Sequence, residues 1–79
     1  MDNTIDTLLA EVFTRILGRR VAPGETVIRE NEPQWDSLKH MEMIFLVEDA
    51  LGVFFDRDEI AAIASSDALR EKLEMKRAA

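Results

Sequence analysis

Cysteine is absent from the 79 residues, so the chain has neither a disulfide framework nor a thiol of its own, and any thiol chemistry must be imported. That lack fits a cytoplasmic protein. Basic residues are the minority: ten Lys and Arg against sixteen Asp and Glu give a formal charge of −6. Nucleic-acid partners are held chiefly by Lys and Arg neutralising phosphates, so this balance argues against them and favours partners with basic surfaces. No apolar run approaches the roughly 20 residues of a spanning helix. The first residues, with Asp2 and Asp6, lack a basic region leading into an apolar stretch. The expectation is no signal peptide, no anchor and no stable membrane insertion. Glycine-rich phosphate loops and clustered metal ligands are missing too, so no metal site is expected, and no internal repeat is present.

What is present describes one ordinary globular domain, 47% hydrophobic and 33% charged. A chain this short hides only about 60% of the surface its unfolded form exposes, enough for one modest core. A single domain over residues 1–79 and a monomer are expected. Ile5, Leu8, Leu9, Val12, Phe13, Ile16 and Leu17 follow the spacing of an amphipathic helix, predicted over 4–17. Asn3 or Thr4 can cap its start, Glu11 and Arg15 can pair one turn apart, and Gly18 suits the left-handed residue that ends many helices.

From Arg19 to Asp36 there is no sustained period, and Pro23, Gly24, Asn31 and Pro33 punctuate the segment. It reads as a long loop pinned to the core by Val27 and Ile28, and loops of that length are commonly functional. A second helix is predicted over 37–51, with Asp36 or Ser37 as its cap and Gly52 as its stop. After the apolar linker Val53, Phe54 and Phe55, Asp56 and Glu59 make a capping-box start for a short helix carrying Ile60 and Ile63. Ser65, Ser66 and Asp67 then cap a last helix bearing Leu69 and Leu73, and 76–79 reads as a frayed tail.

Advancing about 100° per residue along the second helix places Met43, Val47, Ala50 and Leu51 in one buried arc, with Ile44 and His40 at its borders. Leu38, Met41 and Phe45 project from the opposite side together with Glu42, Glu48 and Asp49. One helix cannot bury both faces in a domain of this size, and partner sites commonly set apolar anchors inside a polar rim. The outward face therefore reads as a docking surface.

Trp35, Asp36, Ser37 and Leu38 stand at the mouth of that helix after the long loop, and this run resembles the attachment motif of acyl carrier proteins. The three letters D-S-L are weak alone; the order of helix, long loop, D-S-L helix, short helix and final helix over about residues 4–75 gives the resemblance its specificity. Glu42, Glu48 and the segment 53–55 are similar to the family pattern as well. The resemblance implies an all-α, four-helix acyl-carrier-like bundle with a long loop between helices one and two and a short third helix. It also implies a carrier without a catalytic site. A phosphopantetheinyl transferase would move 4'-phosphopantetheine from coenzyme A onto Ser37, and the arm's thiol would hold an acyl group as a thioester. Asp36 matches the acid that helps the transferase orient the serine, with Leu38 beside it. Met41, Glu42, Phe45, Glu48 and Asp49 match the contact positions for acyl-loading and acyl-transferring enzymes with basic docking surfaces.

Lys39 and His40 follow Leu38 where fatty-acid carriers commonly have an acid, and Pro33, Gln34 and Trp35 precede Asp36 where they commonly have a glycine. These departures point to a specialised member of the family serving a dedicated pathway. Two alternatives stay open: an aminoacyl or peptidyl carrier, and a helical interaction module without the arm. Ser37 and His40, three residues apart, suggest a nucleophile and base, yet a triad also needs an orienting acid and oxyanion donors. A packed or hydrogen-bonded histidine is the better reading. Asp56 and Asp58 resemble the opening of a calcium loop, but Ala61 stands where its turn glycine belongs.

Overall fold

The computed structural model describes residues 4–78, with side chains through residue 76. Among the described residues four α-helices follow one another: α1 over Thr4–Leu17, α2 over Ser37–Leu51, α3 over Arg57–Ala62 and α4 over Ser66–Ala78. A single 3-10 turn at Arg29–Asn31 interrupts the long first loop. Among the described residues there is no strand, and the one extended pairing is an isolated antiparallel bridge between Ile28 and Ser65.

The apolar stripe of α1 buries Leu9, Ala10, Val12, Phe13, Ile16 and Leu17, and the helix packs against α2 and α4. Gly18 ends it at φ 69°, its N–H donating to the Thr14 carbonyl at 3.1 Å. Glu11 and Arg15 are both exposed and form no ion pair, contrary to their spacing, because an exposed pair gains too little to hold two long side chains together. Thr4 is the first helical residue, and the other residue expected as a cap, Asn3, lies outside the described residues.

The long loop is stitched down at several points. Thr14 Oγ1 accepts from the Val21 N–H at 2.9 Å, and Arg19 bridges Glu32 at 2.7 Å and Glu25 at 3.1 Å. Val27 is buried, but Ile28, expected to be a second pin, is 42% exposed. The bridge to Ser65 holds Ile28 by its backbone, and in extended chain successive side chains point to opposite sides, so only Val27 can face inward. Ser66, buried, donates its hydroxyl to the Glu25 carbonyl and accepts from the Val27 N–H at 2.8 Å. Ser66 therefore anchors the loop, and Ser65 is the cap of α4, its Oγ accepting from the Ala68 N–H at 3.1 Å.

The capping box of α3 closes in both directions, Glu59 N–H to Asp56 Oδ1 at 2.8 Å and Asp56 N–H to Glu59 Oε1 at 3.0 Å. A six-residue helix cannot persist on its own. Half-buried Ile60 and buried Ile63 tie α3 to the core, and Lys76 of α4 pairs with Glu59 at 3.0 Å. The last helix, α4, runs through Ala78, over residues 76–78 of the expected tail; Ala79 lies outside the described residues. The core gathers Phe13, Ile16, Val27, Met43, Ile44, Val47, Phe55, Ile63, Leu69 and Leu73 into one cluster.

Candidate functional site

The mouth of α2 divides two tasks between adjacent residues. Asp36 is the cap: its Oδ1 accepts from the Lys39 N–H at 2.9 Å, and its carbonyl accepts from the His40 N–H at 2.8 Å. Ser37, the first helical residue, is exposed, and among the described residues its hydroxyl makes no hydrogen bond. The amides of Ser37 and Leu38 also have no acceptor among the described residues. An N-terminal turn with free amides and the positive end of the helix dipole favours an anionic group beside it.

Behind this mouth lie two buried rings joined by a hydrogen bond. Trp35 is buried, and its indole N–H donates to His40 Nδ1 at 2.9 Å. His40 Nε2 lies 2.7 Å from the Ile60 carbonyl. An indole can only donate and a carbonyl only accept, so His40 is the neutral imidazole with its proton on Nε2. Both ring nitrogens are thereby engaged away from Ser37. The angular reading placed His40 at the border of the buried arc; it lies inside, at 5% exposure.

The inward face of α2 is His40, Met43, Ile44 and Val47. Ala50, expected in the arc, is exposed, and Leu51 is only half-buried. The last turn of α2 sets only Leu51 against the core and ends at Gly52, φ 66°. A groove of about 540 Å³ lined by Leu8, Glu11, Ala50 and Leu51 opens there, roughly 20 Å along the helix axis from Ser37 at 1.5 Å per residue.

On the outward face Leu38 and Phe45 are 75% and 61% exposed, and Met41 is half-buried. The three acids there are not equivalent. Glu42 pairs with Lys39 at 3.8 Å. Glu48 turns one oxygen inward to accept the Phe55 N–H at 2.9 Å, tying the end of α2 to the linker beyond it. Asp49 alone of the three is exposed, and it makes no ion pair among the described residues. Of the three acids placed on the outward side, Glu48 also has an internal task for its carboxylate.

Sequence reasoning missed two features. The Trp35–His40 bond joins the chain's one tryptophan and one histidine, five residues apart, a signal that could have been read once His40 was placed on the inner face. Phe54, taken as part of an apolar linker, is 78% exposed between half-buried Val53 and buried Phe55, the alternation that an extended segment imposes. Scans against protein-family models, curated proteins and solved structures found no match to this chain.

Proposed function

We propose that this chain is a carrier protein of the acyl-carrier type, in which Ser37 bears 4'-phosphopantetheine and the arm presents acyl groups to partner enzymes. The division of labour between residues 36 and 37 carries the reading. A serine before a helix is ordinarily a cap; here Asp36 performs that role, and the Ser37 hydroxyl is exposed and unengaged. The order of the helices, with α2 following a long loop and a short α3 before the last helix, is compatible with the same reading.

In the modification step the Ser37 oxygen attacks the phosphorus of coenzyme A that bears the pantetheine. A new P–O bond forms, the P–O bond to the nucleotide breaks, adenosine 3',5'-bisphosphate leaves, and the hydroxyl proton passes to a base of the transferase. The phosphodiester retains a negative charge, which the unpaired amides of Ser37 and Leu38 and the helix dipole suit. The bound arm supplies the thiol that this cysteine-free chain lacks. The chain's own part is to hold the graft point outward and to offer an apolar surface, Leu38 and Phe45 with Met41 at its edge, flanked by Glu42, Glu48 and Asp49. Enzymes with basic surfaces are the matching partners.

Intact-mass measurement before and after incubation with coenzyme A and a promiscuous phosphopantetheinyl transferase tests the reading. A gain of one phosphopantetheine supports it, and an unchanged mass with an active transferase contradicts it.

A further inference from the structure

Two bonds of His40 meet the peptide leading into Ser37, one from its side chain and the other the ordinary first backbone bond of α2. The His40 side chain accepts from the Trp35 indole at 2.9 Å, and the His40 backbone N–H donates to the Asp36 carbonyl at 2.8 Å. The two rings lie nearly parallel, 22° apart with centroids at 5.9 Å. Phe13 of α1 backs the indole at 5.1 Å. The far edge of the imidazole is fixed by the Ile60 carbonyl near the end of α3. Three elements therefore converge on the residues immediately before the serine.

A core that aliphatic residues could fill has no need of an indole and an imidazole, because every buried polar atom must then find a partner. Here each does: among the described residues no buried side-chain nitrogen or oxygen is left unpaired. Hydrogen bonds are directional where apolar packing is not. They fix the plane of Trp35, and with it the direction in which residues 36 and 37 leave the core.

Building on the carrier reading, we propose that His40 is a positioning residue for Ser37, acting through Trp35 to present the hydroxyl in one fixed place to the modifying enzyme. A reacting atom misplaced by about 1 Å can lose on the order of a hundredfold in rate. Docking, which uses the outward face of α2, is untouched by a loosened clasp, so the effect belongs in kcat and not in KM.

Two near-isosteric variants separate the two side-chain bonds of His40. His40→Asn places an amide oxygen where Nδ1 lies, keeping the acceptor for Trp35 and losing the reach to Ile60. His40→Gln places its amide where Nε2 lies, keeping Ile60 and leaving the indole unpaired. With coenzyme A and the transferase, assayed below the lowest melting midpoint, His40→Gln should lower kcat about tenfold at unchanged KM, and His40→Asn should stay near the parent. Trp35→Phe, which removes the donor, should reproduce the Gln loss. In the parent, nitrogen NMR should show His40 protonated on Nε2 and the single indole N–H slow to exchange. Parental kcat in His40→Gln, an equal loss in His40→Asn, a loss confined to KM, an Nδ1-protonated ring or a fast-exchanging indole would each overturn the role. A parent chain that takes up no arm overturns the carrier reading itself, whereas a loaded parent with an indifferent His40→Gln overturns the positioning role alone.

Discussion

At residues 36 and 37 two adjacent side chains could each cap α2, and the sequence leaves that choice open. Asp36 takes it because its carboxylate reaches the Lys39 amide from outside the helix, and a charged acceptor at that end also meets the helix dipole. Removing the cap costs about 1 kcal/mol, and in a domain of this size that is roughly 4–8 °C of melting temperature. Asp36→Ala should melt lower by about that amount. Asn caps about as well as Asp, so Asp36→Asn should melt like the parent yet load more slowly if the carboxylate is what the transferase reads; thermal melts paired with loading rates check both. The residues that sequence reasoning placed least well are those whose partners are distant or around a turn. Glu48 looks like a surface acid from its spacing, and only the bend after Gly52 brings the Phe55 amide to its carboxylate. Ile28 looks like a core residue by type, and only the bridge to Ser65 turns it outward.

Among the elements, α1 to α4 were legible because their periodicity and caps are local: the stop glycines 18 and 52 adopt the left-handed conformation, and the Asp56–Glu59 box forms as spaced. The inner arc of α2 was less so, since its centre depends on where the other helices lie. Val47, fully buried, and Phe45, 61% exposed, now separate the two faces. Val47→Asp places an uncompensated charge in the core and should cost on the order of 3 kcal/mol or more. Phe45→Asp should cost far less, and equal damage in circular-dichroism melts would contradict the assignment. The start of α3 also carries a pH signature. The Asp56 N–H, followed by Lys76, holds the Glu59 carboxyl below the usual carboxylate range; the Ala22 N–H and Arg19 do the same for Glu25 in the loop. A carboxyl with a depressed folded pKa stabilises fully above its unfolded value, about 4.3, and loses that contribution as pH falls through the lower folded value. Melting temperature should therefore hold down to about pH 5 and drop below about pH 4, and Glu59→Gln should show a shallower drop. An identical acid profile in that variant would contradict the linkage.

For the whole molecule, the charge of −6 was read directly as a preference for basic partners, and no helix among the described residues is long and apolar enough to cross a membrane. Exposed charges act over about 8 Å at physiological ionic strength, so docking should weaken with salt. Asp49, exposed and without an ion pair among the described residues, is the cleanest probe, because Glu48→Lys would also release the Phe55 amide. Asp49→Lys should slow loading by the transferase at low salt, and Glu71→Lys on α4 should not. Surface charge changes rarely cost more than about 0.5 kcal/mol in folding, so a loading defect in a normally melting variant belongs to docking. Equal rates for Asp49→Lys and the parent at all salt concentrations would remove that acid from the docking face. The account rests above all on one hydroxyl, and fragment mass spectrometry of the parent and of Ser37→Ala, each incubated with coenzyme A and the transferase, tests it most directly. The account predicts one phosphopantetheine on the parent, localised to Ser37, and none on Ser37→Ala; an arm on Ser65 or Ser66, or an arm gained by Ser37→Ala, would contradict it.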